Sequence, residues 1–317
     1  MKKLIFTICA MLFGIFLLSS CENKEKEVYL FSYFTRNGQD GLHLAYSYDG
    51  LKWESLKGGA SFLAPQIGKN KLMRDPCIVR DNNGTFHMVW TPGWWERSIG
   101  YASSKDLVNW SVQQEIPVMA QFEGTKNSWA PELFYDSESE IFYIFWASTV
   151  PGAFPELATS ESEKGLNHRQ YYVTTKDFKN FSETKLFFNP GFSVIDGTIV
   201  KHDNLYHLIV KNENSAPAEK NLRITSAPRP FDFPTEVSAP ITGDYWAEGP
   251  SPLKVGDYVY VYFDKYMEGK YGAIRSRDMK NWEDVSDSIS FPKGVRHGTA
   301  FTVPLSMLDS LLNILSR

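Results

Sequence analysis

The stretch Ser104-Lys105-Asp106-Leu107-Val108-Asn109-Trp110 is one copy of a motif that recurs along the chain. In each copy, a Ser or Thr is followed two residues later by Asp and six residues later by an aromatic residue. The other full copies begin at Ser47, Thr175 and Ser276, and a degenerate copy is expected at Leu222 to Ser226. Because Ser, Thr and Asp stabilise tight turns, each copy predicts a turn between two strands.

A second motif consists of a polar residue, then Gly or Pro, then an apolar strand. Copies begin at Asp75, Asp196, Glu248 and His297, and a fifth copy has Ala130 at the leading position. No long helical period interrupts the two motifs. Repeats of about 40–50 residues built from short strands are typical of propeller blades. The sequence therefore predicts an all-β fold, a five-bladed β-propeller.

The two ends of the chain complement each other. Val28 to Phe34 has no leading motif before it, and the leading motif at His297 has no turn motif after it. We therefore expect the C-terminal strand to join the N-terminal strands in one blade, which would close the ring and remove the open sheet edge. The alternative, a β-sandwich with accidental periodicity, does not explain the complementary ends. A single propeller domain over residues 28–317 is predicted.

The N-terminal residues have the pattern of an export signal. Lys2 and Lys3 precede an apolar run that ends in Leu18-Ser19-Ser20-Cys21, which resembles a bacterial lipobox. We expect a lipoprotein signal peptide over 1–20, lipidation at Cys21 and a polar tether over 21–27; the alternative is an ordinary cleavable signal. This pattern predicts a protein anchored by lipid alone to the bacterial cell envelope, on its periplasmic face or at the surface.

The composition narrows the choice of function. With 33 basic and 37 acidic residues and a formal net charge of −4, the chain lacks the positive excess that nucleic-acid binding requires. Its 9 Trp, 16 Tyr and 22 Phe suit strands and offer faces on which sugars stack. Cys77 is the one Cys outside the signal and the lipidation site, and we expect it to be buried. A monomeric, carbohydrate-facing protein is predicted.

The leading residues of the second motif are expected to meet at the central channel. Turn chemistry explains an Asp at such a position, but Glu248 is not a favoured turn residue. Three of the five leading positions hold carboxylates, at Asp75, Asp196 and Glu248, and a fourth holds His297. This convergence of ionisable groups predicts a hydrolytic site on the propeller axis.

At these motifs the sequence resembles glycoside hydrolase family 43, whose members are five-bladed propellers. The resemblance extends from Val28 to Val303 and differs from the commoner pattern at Gly197, where many members have Pro, and at Glu132, where many have Asp. The residues that carry it are Arg74-Asp75-Pro76, Ser128 to Glu132, Val194 to Gly197, Ala247 to Pro250, and Arg296-His297-Gly298.

The resemblance implies a role for each carboxylate. Asp75 is expected to be the general base, Glu248 the general acid, and Asp196 an orienting residue and pKa modulator. An inverting glycosidase needs a base and an acid about 6.5–9.5 Å apart, a separation that strands around a channel can provide. We therefore predict inversion of the anomeric configuration.

Further residues are candidates for substrate and ion binding. The resemblance implies that His297 holds a calcium or sodium ion through water; the alternative is a hydrogen-bonded His facing the catalytic Asp. No cofactor is expected to be required, and no cluster suggests zinc. For each Trp, blade packing is the alternative to sugar contact. The candidate substrate-binding residues are Phe34, Arg74, Trp94, Trp95, Trp129, Trp246 and Arg296.

The function predicted from these residues is an exo-acting glycosidase that releases a terminal pentose, foremost α-L-arabinofuranose, from plant-type oligosaccharides or polysaccharides. A β-xylosidase, an endo-arabinanase, and a galactosidase or galactofuranosidase are alternatives within the resembled family. A non-catalytic glycan-binding propeller and a protein-interaction scaffold are alternatives of other classes. The glycan-binding class predicts the loss of at least one of Asp75, Asp196 and Glu248, and all three are present.

Overall fold

The computed structural model of the protein describes residues 25–155 and 165–315. The predicted signal peptide over 1–20, Cys21 and the first part of the tether lie outside the described residues. Within the described ranges the strands form five sheets, which are the five blades of the predicted propeller. No helix in these ranges is long and apolar enough to cross a bilayer.

The blades follow one another along the chain, and the strands are numbered in chain order. Blade 1 contains β1 (Glu27–Thr35), β2 (His43–Ser47) and β3 (Glu54–Ser55), joined by the last strand of the chain. Blade 2 contains β4 (Arg74–Arg80), β5 (Phe86–Thr91), β6 (Ile99–Ser104) and β7 (Gln114–Ile116). Blade 3 contains β8 (Trp129–Asp136), β9 (Ile141–Ser148), β10 (Arg169–Thr175) and β11 (Lys185–Phe188). Blade 4 contains β12 (Val194–His202), β13 (Leu205–Asn212) and β14 (Leu222–Ala227). Blade 5 contains β15 (Glu248–Val255), β16 (Tyr258–Lys265), β17 (Lys270–Ser276) and β18 (Glu283–Asp284), and β19 (Val295–Pro304) completes blade 1.

The closure of the ring is confirmed by the pairing of β1 with β19. The two strands are antiparallel, and their register runs from Glu27 opposite Pro304 to Thr35 opposite Val295. In sheet order, β19 precedes β1, β2 and β3. The C-terminal strand is therefore the first strand of the N-terminal blade.

The recurring turn motif has a common hydrogen-bonding basis. Ser104 Oγ accepts the backbone N–H of Leu107 at 2.9 Å, and Asp106 Oδ1 accepts the backbone N–H of Asn109 at 2.7 Å. The equivalent contacts recur around Asp49, Asp177 and Asp278. These turns satisfy backbone donors locally, so each copy can form wherever the motif occurs.

Blade 4 carries the degenerate copy of the motif, and it differs from the other blades as a result. Its β14 lacks the Asp that would stabilise the following turn. The chain instead runs on and returns beside β14, where the N–H groups of Ser238 and Ile241 donate to the carbonyls of Ile224 and Leu222. In the described residues this blade has three strands rather than four.

The apolar core lies between neighbouring blades. Leu30 of blade 1 is buried in one cluster with Met88 and Trp90 of blade 2. Phe31 of blade 1 packs edge-on against Tyr262 of blade 5, with ring centroids 6.4 Å apart. Because the blades bury their faces against each other, the centre of the ring is left to polar side chains.

A departure from the all-β expectation is the helix α1 (Leu305–Leu315), which follows β19. Leu308 and Leu311 are buried against an apolar cluster that also contains Val28 and Leu107. Three-residue spacing places both side chains on one face of a helix. A segment of 11 residues is too short to stand out as a helical period beside the strand motifs.

Candidate active site

Each innermost strand carries a β-bulge near its start. The register shifts between Arg74 and Cys77 in β4, and at the corresponding places in β8, β12 and β15, while β19 has its shift opposite Ser32 and Phe34. A bulge adds an unpaired residue and bends the strand. It therefore turns side chains out of the sheet at the axis of the propeller.

The bulges create two rings of equivalent residues around the axis. The outer ring is the last paired position before each bulge, and it consists of Arg74, Trp129, Ile195, Glu248 and Arg296. The inner ring is the next residue of each strand, and it consists of Asp75, Ala130, Asp196, Gly249 and His297. Four inner-ring residues have left-handed backbone conformations, with φ of 51° at Asp75, 45° at Ala130, 50° at Asp196 and 61° at Gly249.

Glu248 therefore belongs to a different ring from the other two carboxylates. The motif pattern places Glu248 in line with Asp75 and Asp196, and the strand register shows that this alignment is wrong by one residue. The inner-ring position of its blade is Gly249, where an added Cβ would lie 2.4 Å from Cγ of His297. The imidazole occupies the space that a side chain at position 249 would need, so blade 5 contributes its carboxylate from the outer ring.

The two rings line a single cavity of about 350 Å³. All five outer-ring residues contact it, together with Asp75, Asp196 and His297. The cavity therefore brings the three predicted catalytic carboxylates together.

His297 links the two inner-ring carboxylates. Its Nδ1 lies 3.4 Å from Asp75 Oδ1 and 4.0 Å from Asp196 Oδ1. Burial alone would lower the pKa of His297, but the charges of Asp196 and Asp75 raise it to about 9. The ring is thus a cation at neutral pH.

The His297 cation lowers the pKa of both carboxylates, but the net shifts have opposite signs. Burial favours protonation of Asp75, but the hydrogen bond and charge of His297 lower its pKa below the ordinary value. Thr91 Oγ1 also donates to Asp75 Oδ2 at 2.9 Å. Burial raises the pKa of Asp196 to about 6, even though His297 and Lys211 oppose the shift. Asp75 therefore stays ionised to lower pH than Asp196, which suits a general base.

Asp196 also contacts the strand that carries the third carboxylate. Its Oδ2 accepts the backbone N–H of Gly249 at 3.0 Å. Gly249 directly follows Glu248 in the chain, so this hydrogen bond ties the position of Glu248 to Asp196.

Glu248 is held between two cations. Its Oε2 lies 3.0 Å from Lys211 Nζ, and its Oε1 lies 3.1 Å from Arg296 Nη2. Arg296 is a predicted site residue, whereas Lys211 was missed. The missed signal is a charged residue directly after the apolar run of β13, where the strand reaches the cavity.

Comparison with known proteins identifies the family. Residues 25–308 match the profile of a family described as "Probable glycosyl hydrolase domain", which is related to glycoside hydrolase family 43. The chain belongs to this family. The match confirms the resemblance to glycoside hydrolase family 43 that the motifs indicate.

Individual relatives of this chain are distant. An α-L-arabinofuranosidase of Bifidobacterium longum subsp. longum is 25% identical in an alignment of 165 residues. The alignment covers 46% of this chain and 16% of the relative. The chain thus spans a small part of that curated relative. The crystal structure of an α-L-arabinofuranosidase from Lactobacillus brevis has a TM-score of 0.54 at 16% identity, over 68% of this chain and 72% of that chain. A family 43 β-1,3-galactosidase solved with galactodeoxynojirimycin has a TM-score of 0.51 at 14% identity, over 67% of this chain and 75% of that one. At these identities the structures establish the fold.

Four of the predicted substrate-binding residues line the cavity, namely Arg74, Trp94, Trp129 and Arg296. The guanidinium of Arg74 lies over the ring of Trp94, 4.2 Å from its centroid. The Trp94 and Trp129 rings meet edge to face, with centroids 5.6 Å apart. One wall of the cavity therefore combines two indoles and the guanidinium group of Arg74.

The other three predicted residues lie outside the cavity lining. Phe34 is 1% exposed and lies under the guanidinium of Arg74, 4.7 Å from its ring centroid. Trp95 is 58% exposed, and its ring centroid is 5.8 Å from that of Trp129. Trp246 is 39% exposed and packs near Tyr266, at 5.9 Å between ring centroids. Phe34 thus supports a cavity residue, while the two indoles lie at the surface.

Among the lining residues that sequence reasoning missed are Glu213 and Tyr266. Glu213 follows the end of β13, and Tyr266 follows the end of β16. Burial raises the pKa of the Tyr266 hydroxyl to about 12, so this hydroxyl stays protonated at neutral pH. Polar residues directly after second strands are the signal that would have found both.

Deeper in the channel lies Glu132, one of the departures from the commoner family pattern. It is 9% exposed and accepts a hydrogen bond from Thr198 Oγ1 at 2.9 Å. Burial raises its pKa to about 7. Cys77 is 1% exposed, and burial raises the pKa of its thiol, as a structural Cys requires.

The ion predicted at His297 would need oxygen or nitrogen donors grouped around it. In residues 25–155 and 165–315, no three His, Cys, Asp or Glu side chains are grouped as a metal site requires. Nδ1 of His297 faces Asp75 and Asp196, which leaves Nε2 as the ring nitrogen that could face an ion. The ion held through water stays a prediction.

Proposed function

We propose that the protein is an inverting, exo-acting glycoside hydrolase that releases a terminal pentose, α-L-arabinofuranose, from plant-type oligosaccharides or polysaccharides. The observation that carries the proposal is the meeting of Asp75, Asp196 and Glu248 in one cavity with unequal electrostatic surroundings. Family membership supplies the reaction class, and the sugar, the mode of attack and the residue roles belong to the proposal.

In the proposed reaction, Asp75 accepts a proton from water as the water oxygen attacks the anomeric carbon. Glu248 donates its proton to the glycosidic oxygen as the bond between that oxygen and the anomeric carbon breaks. The positive charge of the oxocarbenium-like transition state is stabilised by the negative charges of the carboxylates around it. Attack from the face opposite the leaving group inverts the configuration.

Asp196 is proposed as the residue that orients Glu248 and modulates its proton affinity. Its hydrogen bond to the N–H of Gly249 supports the orienting role. Its own pKa of about 6, raised by burial, supports a charge that changes near neutral pH. His297 is proposed to keep Asp75 ionised.

Two observations favour a terminal pentose. The cavity of about 350 Å³ is near the lower end of small-molecule sites, so it suits one or two sugar rings rather than a long glycan. The two relatives named as arabinofuranosidases provide the sugar. A galactosidase is the second candidate, because a galactosidase structure shares the fold over most of its length. A β-xylosidase and a non-catalytic glycan-binding propeller remain alternatives from the sequence.

The site of action is also proposed. Lipidation at Cys21 would place the propeller at the bacterial cell envelope, where exported oligosaccharidases meet their substrates. Incorporation of a radiolabelled fatty acid that is lost in Cys21→Ala would support this proposal, and equal labelling of both proteins would contradict it.

The function is tested with a panel of p-nitrophenyl glycosides and arabino-, xylo- and galacto-oligosaccharides, using the protein beside Glu248→Gln. Release of arabinose that disappears in the variant supports both the sugar and the acid. Release of xylose or galactose instead would replace the sugar and keep the mechanism. Sugar binding without hydrolysis in either protein would overturn the enzyme and favour the glycan-binding class.

A further inference from the structure

Glu248 lies in the middle of a chain of six alternating charges. Lys220 Nζ is 2.8 Å from Glu213 Oε1, and Lys211 Nζ is 2.7 Å from Glu213 Oε2. Lys211 and Arg296 then contact Glu248, and Arg296 Nε is 2.5 Å from Asp264 Oδ2. The charge chain, in order, is Lys220, Glu213, Lys211, Glu248, Arg296 and Asp264.

Lys211 is the buried centre of this chain. It is 1% exposed, and a buried ammonium is stable only when it is paired. Burial opposes its charge, but Glu248 and Glu213 raise the pKa of Lys211 well above the ordinary value. Its Nζ also lies 4.8 Å from the ring centroid of Tyr266, within cation–π range. The lysine therefore stays a cation in a fixed place.

The position of Lys211 follows from the bulge of blade 4. Lys211 pairs with Ile195 in the β12–β13 ladder, directly before the bulge that presents Asp196. The same strand distortion thus sets the place of Asp196 and of the lysine next to Glu248. Neither Lys211 nor Lys220 lines the cavity, so both act on a substrate only through other residues.

We propose that Lys211 is a positioning residue for the general acid, holding Glu248 Oε2 and setting how readily Glu248 releases its proton. The proposal rests on the proposed function of Glu248. Once the proton has moved to the glycosidic oxygen, Lys211 stabilises the carboxylate that remains. Glu213 shares the same ammonium, so it limits how much of that charge acts on Glu248.

The sign of the effect depends on every charged group near Glu248. Two cations face it, and Glu213 and Asp264 each neutralise one of them. Loss of the Lys211 charge leaves Glu248 with fewer positive neighbours, so it should keep its proton to higher pH. The titratable and charged groups around Glu248 in the described residues are Lys211, Glu213, Arg296, Asp264, Asp196, Tyr266 and Tyr271.

The test compares the pH profile of kcat/KM in the full protein and three variants. In Lys211→Met, the alkaline limb should move up by about one pH unit, the lower bound for an opposite charge in direct contact. In Glu213→Gln, the unshared lysine should move the same limb down. Lys220→Met is the matched control, because it removes an equal charge one contact further away and should give less than half the shift of Lys211→Met.

A role in structure alone predicts a different result. It would lower activity by a similar factor at every pH in Lys211→Met and leave the alkaline limb in place, and this outcome would overturn the proposal. Thermal melting of each variant identifies a folding defect. If Lys211→Met has such a defect, the downward shift of the alkaline limb in Glu213→Gln tests the proposal instead, and an unshifted limb in that variant would overturn it.

An NMR titration separates failure of this proposal from failure of the proposed function. In protein labelled with side-chain-¹³C glutamate, the Glu248 signal is assigned by its loss in Glu248→Gln. Its titration midpoint should rise in Lys211→Met, whether or not the protein hydrolyses any glycoside tested. An unchanged midpoint would overturn the role of Lys211, while an absence of hydrolysis with a shifted midpoint would count against the proposed function alone.

Discussion

Replacing His297 with Gln removes a positive charge from the inner ring, and the structure indicates how much stability that charge provides. His297 Nδ1 lies 3.4 Å from Asp75 Oδ1 and 4.0 Å from Asp196 Oδ1. Burial lowers the pKa of His297, but the two carboxylates raise it to about 9, against about 6.5 in an unfolded chain. Because the folded value is the higher one, the stabilisation is complete below about pH 6.5 and is lost as the pH rises through about 9.

The magnitude follows from the difference between the two values. A pKa difference of about 2.5, at about 1.4 kcal/mol per pH unit, corresponds to roughly 3 to 4 kcal/mol, of which about 3 kcal/mol is lost between pH 6.5 and 9.5. Between pH 6.5 and 9.5, the free energy of unfolding of the wild-type protein should therefore fall by about 3 kcal/mol more than that of His297→Gln. Groups that titrate away from His297 act equally on both proteins and cancel, whereas Asp75 and Asp196 lose a neighbouring cation in the variant and reduce the difference.

The assay is urea unfolding at half-unit pH steps, followed by tryptophan fluorescence. His207→Gln is the control, since burial lowers the pKa of His207 and its charge therefore gives no stabilisation that is lost on the alkaline side. In this control the free energy of unfolding should fall with pH as it does in the wild type. Parallel declines in the wild type and His297→Gln would refute the account of His297 as a buried cation held by Asp75 and Asp196.

Two further predictions concern the rings. In Gly249→Ala, the new Cβ would lie 2.4 Å from Cγ of His297 at a φ of 61°, so we expect a lower melting temperature and the loss of most activity on any substrate that the wild type cleaves. Wild-type melting and turnover in this variant would contradict the placement of His297. Trp129→Ala should raise KM about tenfold or more because Trp129 lines the cavity, whereas Trp95→Ala should change KM less than threefold because Trp95 lies outside it. Equal changes in the two indole variants would count against the assigned cavity wall.

The number of blades could be predicted from the sequence because its signal is local. The turn at Ser104 and Asp106 is stabilised by hydrogen bonds within six residues, so the motif keeps its spacing wherever a blade ends. Closure of the ring could be predicted because the N-terminal strands lack a leading motif and the leading motif at His297 lacks a turn motif after it. The site carboxylates were found because their motifs sit at the starts of innermost strands.

Other features depend on contacts that the motifs do not contain. The shift of Glu248 into the outer ring arises because His297, far away in the chain, fills the space beside Gly249. Lys211 of blade 4 contacts Glu248 of the adjacent blade 5, and no residue next to either one in sequence indicates the pair. The helix α1 was missed because a short amphipathic segment after the last strand resembles a polar tail with scattered apolar residues.

The measurement that tests the central claim most directly is the configuration of the first product. Hydrolysis of p-nitrophenyl α-L-arabinofuranoside is followed by ¹H NMR in the first minutes, before mutarotation, in the wild type and in Asp75→Asn. The account predicts that β-arabinose appears first in the wild type, and that Asp75→Asn, which lacks the base, is slower by about 10²-fold or more. First appearance of the α-anomer, or wild-type turnover in Asp75→Asn, would contradict an inverting mechanism with Asp75 as its base.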